Sequence, residues 1–299
     1  MSGTNAGQHP NSKRSTVNDH KIVIKDVDRV YRVRRNGSRP KEFVAVKGVN
    51  LKVKKGEFLS IVGPSGCGKS TLLDMLAGLA PVKSGEIFID GKLMTGPDLD
   101  RGIILQGYAL FPWRSVRQNV ELGLEIKCVP KKERAAISEK YINLVGLQGF
   151  ADRFPYELSG GMKQRVAIAR ALAYDPEVLL MDEPFAAVDA QTRETLQDEL
   201  LLIWEKTGKT IVFVTHSIDE AVFLSDRVAV MTVNPGSIKD VVSIALPRPR
   251  NGARRSAEFN RSRQQVWELL QNGANGFSVE KSYADGPNVD EVIFPSTIL

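Results

Sequence analysis

The stretch "GPSGCGKST", residues 63–71, holds the residue types that grip a phosphate chain. Gly63, Gly66 and Gly68 let backbone N–H groups curl around phosphate oxygens, and a helix starting behind them adds the positive end of its dipole. Pro64, Ser65 and Cys67 complete the loop. Lys69 is spaced to reach the β- and γ-phosphates of a nucleotide, and Ser70 to offer a hydroxyl to Mg2+, with Thr71 closing the motif. The loop sits directly after the apolar run "FLSIV" and before "STLLDMLAGL", the strand–loop–helix context this chemistry requires.

Other polar residues end apolar runs in the same way. "VLLMDEP", residues 178–184, delivers Asp182 and Glu183 to the end of a buried-type strand. Adjacent acids in such a place often only cap a following helix. Beside a phosphate loop they fit a second role, Asp182 orienting Mg2+ and Glu183 polarising an attacking water. "TIVFVTHS" ends at His216, suited to a γ-phosphate contact that sets the geometry of that water. "GIILQ" ends at Gln106, which can ligate Mg2+, orient water, or simply be solvated. A second anion-friendly joint lies at Ser159, Gly160 and Gly161, inside "FPYELSGGMKQRVAIARAL". A serine opening a helix leaves free N–H groups behind it, so the chain carries two phosphate-type loops, and one nucleotide needs only the first.

The elements that must position these residues are legible as periodicity. "KIVIKDV", "RVYRVR" and "VNLKVKKG" alternate and predict antiparallel strands. "FLSIV", "GIIL", "VLLM", "TIVFVTH" and "RVAVMTV" are nearly continuously apolar, as strands covered on both faces are, and helical segments separate several of them. A parallel α/β sheet follows. Between "GIILQ" and "VLLMDE" three segments with helical spacing, "SVRQNVELGLEI", "KKERAAISEKYINLVGL" and "GMKQRVAIARALA", predict a helical subdomain inserted over about residues 107–173. Phe259, Val266, Leu269 and Leu270 share one face of a further helix within 251–299, followed by an irregular tail, and the polar residues 1–20 read as disordered.

Bulk properties exclude several classes. With 42% hydrophobic and 25% charged residues, the 299-residue chain has the profile of a protein with a full core. No apolar run approaches the roughly 18–20 residues that span a bilayer, and the polar opening has no leader pattern, so a cytoplasmic protein is expected. Two cysteines and three histidines argue against a disulfide framework or a cysteine- or histidine-based metal site. The net charge of +6 is modest and gathered near the ends, without interleaved arginines and aromatics, so no nucleic-acid partner is expected.

Taken together, residues 21–250 resemble the nucleotide-binding subunit of an ATP-binding-cassette (ABC) transporter, with its motifs in family order. These are the phosphate loop Gly63–Thr71, Gln106, the signature "LSGGMKQR" at 158–165, Asp182 and Glu183, the D-loop Ala187–Asp189 and the switch His216. The resemblance implies the P-loop NTPase fold of ABC ATPases, a mixed sheet with helices, an antiparallel β subdomain and the inserted helical signature subdomain. It implies Mg2+-dependent ATP hydrolysis with Glu183 as general base, and Tyr31 or the nearby Phe43 stacking on adenine. It also explains the second loop: in this family Ser159, Gly160 and Gly161 of one copy, with Asp189 beside them, close over ATP held by the other, making a homodimer. Partners implied are two transmembrane permease subunits, docking near "YALFPWRSV", and a periplasmic or extracellular solute-binding protein, at the cytoplasmic face of the membrane. The wording "LFPWRSVRQNV" and "RFPYELSGGMKQRVAIARAL" is similar to importers of nitrate, sulfonates and taurine. "AAVDA" departs from the family's more usual leucine before the D-loop aspartate, and a small packing adjustment is expected there. Rival readings are a soluble ABC ATPase acting on nucleic acid or ribosomes, an exporter ATPase, and a binding module that holds ATP without turnover.

Overall fold

The structure, a computed structural model, describes residues 19–33, 41–250 and 252–274. The expected polar stretch at 1–20 (Asp19 and His20 apart) and the irregular tail beyond 274 lie outside the described residues. Two sheets form. An antiparallel sheet runs in the order β2 (Lys41–Lys54), β1 (His20–Val33), β4 (Ser84–Ile89), β5 (Lys92–Leu93). The segments "KIVIKDV" and "RVYRVR", which the sequence suggests as separate strands, run on as the single strand β1. Register shifts between Ile24 and Arg29, with Asp26 at a φ of 46°, bend the strand and reset its alternation.

The second sheet runs β10 (Ile238–Ser243), β9 (Arg227–Met231), β3 (Phe58–Val62), β8 (Thr210–Val214), β7 (Val178–Asp182), β6 (Arg101–Ile104). All its pairings are parallel except β10 with β9. The continuous apolar character of these strands has a simple cause. Phe58, Met181 and Phe213 enter one buried cluster, while Leu59, Ile61, Leu180, Val212 and Val214 enter the other. Both faces are covered. The second cluster also takes Leu72, Leu73, Met75 and Leu76 of α1 (Lys69–Ala77), which lies between the two sheets.

After β6 come α2 (Val116–Ile126), α3 (Lys131–Leu144) and α4 (Gly160–Ala173), the three helices expected from spacing. The start of α2 is fixed by a capping box, with Ser115 Oγ accepting from the Gln118 N–H and the Gln118 side chain accepting from the Ser115 N–H. Then follow α5 (Ala190–Thr207), α6 (Ile218–Leu224) and, past β10, α7 (Ala257–Ala274). On α7, Phe259 and Val266 are buried, and Leu269 and Leu270 pack against the same cluster.

Candidate active site

Register explains why residues far apart in sequence meet. Ser60, Phe213, Met181 and Ile104 form one row across β3, β8, β7 and β6, and Ile61, Val214 and Asp182 form the next. Parallel strands end on the same side, so Gly63, His216, Glu183 and Gln106 all emerge within two or three residues of these rows.

The phosphate loop joins β3 to α1. Gly68 stands at the N-cap of α1 with a φ of 92°, and a Cβ there would lie 2.8 Å from Val46 Cγ2 and 3.0 Å from the Ala45 carbonyl oxygen. Only glycine allows both that backbone and that approach. Lys69 Nζ donates to the carbonyls of Gly63 at 2.8 Å and Pro64 at 3.1 Å, spanning its own loop where phosphate oxygens would compete for it. Cys67 is buried beneath the loop, and burial pushes its thiol up, so it packs as an apolar group.

Asp182 ends β7 and Glu183 follows it in a left-handed backbone conformation, φ 42°, with its N–H donating to the Val214 carbonyl at 2.9 Å. That turn aims its carboxylate at the end of β8, where Glu183 Oε2 lies 3.2 Å from His216 Nδ1. Burial raises the Asp182 carboxyl above its ordinary value, with the neighbouring Glu183 adding to the effect and the Ser70 hydroxyl opposing it. Asp182 Oδ1 is buried without a hydrogen-bond partner. An orphaned carboxylate oxygen beside a serine hydroxyl is the donor set a hard divalent cation such as Mg2+ takes, one that keeps several ligands from water and phosphate. No group of three or more acidic, histidine or cysteine side chains among the described residues forms a self-sufficient cage, as is usual for such ions. Gln106 is exposed at the end of the β6 segment.

Ser159 caps α4, its hydroxyl accepting from the Met162 N–H at 3.3 Å. A Cβ on Gly160 would meet only the Tyr108 hydroxyl and the Ala187 carbonyl, and one on Gly161 only Thr192 and Leu196. None of these belongs to the phosphate loop. Asp189 caps α5 through the Thr192 N–H at 3.0 Å. Val188, in place of the more usual leucine, is buried in the larger apolar cluster. The two adenine-stacking candidates, Tyr31 and Phe43, are direct cross-strand partners on β1 and β2. Phe43 is 48% exposed, and the Arg29 guanidinium covers one face of Tyr31 at 4.5 Å.

Several participants carry no sequence signal of their own. Three consecutive residues after Gln106, Gly107, Tyr108 and Ala109, have positive φ. Arg170 of α4 holds that turn by donating to the Tyr108 carbonyl at 2.9 Å and the Ala109 carbonyl at 2.5 Å. The Tyr108 hydroxyl donates to the Ala187 carbonyl at 3.3 Å, which ties the Gln106 turn to the D-loop. Only the folded chain brings these segments together.

The ABC transporter profile matches residues 46–186, spanning the phosphate loop, the signature and the Asp182–Glu183 pair. An ABC transporter ATP-binding protein of Methanocaldococcus jannaschii is 54% identical over 250 residues, 84% of this chain and 91% of that one. The chain belongs to the ABC transporter family. As a member it binds ATP and is an ATP hydrolase with the ABC ATPase fold. Among its relatives, the nitrate import ATP-binding protein of Synechocystis is 46% identical over 83% of this chain and 94% of its own length. The bicarbonate transport ATP-binding protein of Synechococcus elongatus is 51% identical over 70% of this chain, which covers 32% of that longer protein. An ATP-binding cassette solved as a dimer in a post-hydrolysis state with ADP and Pi superposes at a TM-score of 0.66, with 34% identity, over 76% of this ABC ATPase and 100% of that chain.

Proposed function

We propose that this ABC ATPase powers an importer of small anionic solutes, nitrate, sulfonate or taurine in type, as a homodimer bound to two separate permease subunits. The dimer sits at the cytoplasmic face of the cell membrane and serves a periplasmic or extracellular solute-binding protein. Among the described residues no helix is long and apolar enough to cross a membrane, which favours a peripheral subunit driven onto membrane partners. The nitrate and bicarbonate relatives both handle small oxyanions, which supports the solute class.

The geometry supports the following roles. Lys69 releases the Gly63 and Pro64 carbonyls for the β- and γ-phosphates, and the loop N–H groups from Gly66 to Thr71 take the remaining oxygens. Ser70, Asp182 and Gln106 would hold Mg2+, which would neutralise charge on the phosphates when bound. Glu183 takes the proton of the attacking water, while His216, 3.2 Å away, holds that carboxylate and the γ-phosphate in line. The paired aromatics Tyr31 and Phe43 lie on the strands next to Ala45 and Val46, which line Gly68, and offer the adenine platform there.

The observation that carries the dimer is the direction of the signature joint. Ser159, Gly160 and Gly161 border the D-loop and the Gln106 turn rather than their own phosphate loop, and so offer an open anion site to a second copy. Two ATP molecules then bridge two half-sites, and loss of the γ-phosphate contacts on hydrolysis reopens them. Trp113, 70% exposed and packed edge-on against Phe111, supplies an anchor for a permease helix. Asn119 shapes that corner by bonding to Phe111, Arg114 and Ser115.

Mixing a Ser159→Arg chain with a Lys69→Ala chain tests the shared site. Each alone should be nearly inactive, and the mixture should regain turnover because one composite site is restored. A mixture no more active than its parts, with the unaltered chain fully active as a monomer, would overturn the reading.

A further inference from the structure

The segment after β10 carries none of the catalytic motifs, yet it grips the short helix that follows the switch histidine at both ends. Helix α6 begins two residues after His216. At its far end Arg250, buried, donates to the carbonyls of Val222 at 3.1 Å, Ser225 at 2.7 Å and Phe223. At its near end Arg263 of α7 pairs with Asp219 at 2.7 Å.

A third link runs through the interior. Arg254 donates to Gln197 Oε1 at 2.6 Å, Gln197 Nε2 donates to Glu220 Oε1 at 3.2 Å, and Glu220 Oε2 accepts from the Thr215 hydroxyl at 2.6 Å. The Thr215 hydroxyl in turn accepts the Ser217 N–H at 3.0 Å. Thr215 and Ser217 flank His216, so this one hydroxyl closes the turn on which the histidine stands. Glu220 is only 8% exposed, with Arg193 3.8 Å away as its nearest cation. A carboxylate this deep holds one position only while its partners do.

We propose that Arg254 and Arg263, acting through Gln197, Glu220 and Asp219, are positioning residues for His216, so that the C-terminal segment sets the rate of hydrolysis without touching nucleotide. The proposal rests on the role given above to His216. A merely structural network would cost folded protein when broken. A positioning network costs turnover in protein that still folds and still binds ATP. Misplacing a catalytic group by about 1 Å is enough to lower a rate by about 100-fold.

The test compares Arg254→Ala, Arg254→Lys and Gln197→Leu with the unaltered chain, measuring kcat, KM for ATP and the thermal midpoint. ATP-driven dimerisation is measured with Glu183→Gln added to each. The expected result is a kcat about 10- to 100-fold lower for Arg254→Ala and Gln197→Leu. KM and dimerisation should stay close to normal, and Arg254→Lys should recover part of the rate. Glu268→Ala, on α7 with Arg263 but outside the network, should leave the rate unchanged. An unchanged kcat, or a fall matched by loss of folded protein or of ATP binding, overturns the proposal alone. Absence of turnover in the unaltered chain overturns the functional reading and the proposal with it.

Discussion

Glu183→Gln separates chemistry from binding in this site. The substitution keeps the size and shape of a side chain held by its own left-handed backbone and lying 3.2 Å from His216, so the hydrogen bond to the histidine survives while the ability to take a proton is lost. A positioned general base contributes about 100- to 10,000-fold to a rate. At 1.36 kcal/mol per decade this is about 2.7–5.4 kcal/mol of barrier. The expected outcome is a kcat lower by that factor with KM for ATP nearly unchanged, since the interaction acts only in the transition state. Phosphate release at saturating ATP and Mg2+ measures the first, and light scattering should show ATP-trapped pairs of the 33.0 kDa chain. On the roles proposed for Glu183 and His216, which lie 3.2 Å apart, adding His216→Ala should cost much less in the Glu183→Gln background than alone. A loss smaller than about tenfold, or one carried by KM, refutes the assignment of Glu183 as base.

Asp182→Asn should stabilise the nucleotide-free protein at neutral pH while abolishing turnover. Burial raises this carboxyl above 3.8, so its charged form opposes folding as pH rises through and beyond that value. The gain in urea midpoint should shrink to nothing below that pH, and a loss of stability at neutral pH counts against it. Asn119→Ala takes the side-chain donor from the Arg114 carbonyl and the acceptor from the Phe111 N–H, while backbone N–H groups still reach the Phe111 and Ser115 carbonyls, and should lower unfolding free energy by about 1–3 kcal/mol with a changed tryptophan emission. Phe213→Ala removes a fully buried ring packed between Phe58 and Phe185, and should cost about 3–5 kcal/mol in a denaturant titration.

The sequence speaks most clearly where one segment carries both the chemistry and its own support. The phosphate loop needs only a strand before it, glycines within it and a helix after it, all inside residues 58–77, so it is legible as a string. The same holds for strands whose alternate residues feed two clusters, and for α2 with its capping box. The strands β4, β5 and β10 were not legible. β5 is two residues long, and β4 and β10 are partly exposed strands lacking the continuous apolar run of the central ones. Tyr31 and Phe43 read as rival adenine platforms in sequence, and folding makes them neighbours, because antiparallel register pairs them across two strands.

The sequence alone marked the candidates for holding phosphate and metal and the strand ends that carry them, because glycine geometry and strand burial are local properties. Tertiary structure alone decided that Glu183 faces His216, that Arg170 holds the turn after Gln106, and that Arg254 reaches Thr215 through Gln197 and Glu220. Each of those contacts joins side chains from different elements, and a hydrogen bond a few ångströms long exists only once packing has brought its two ends together.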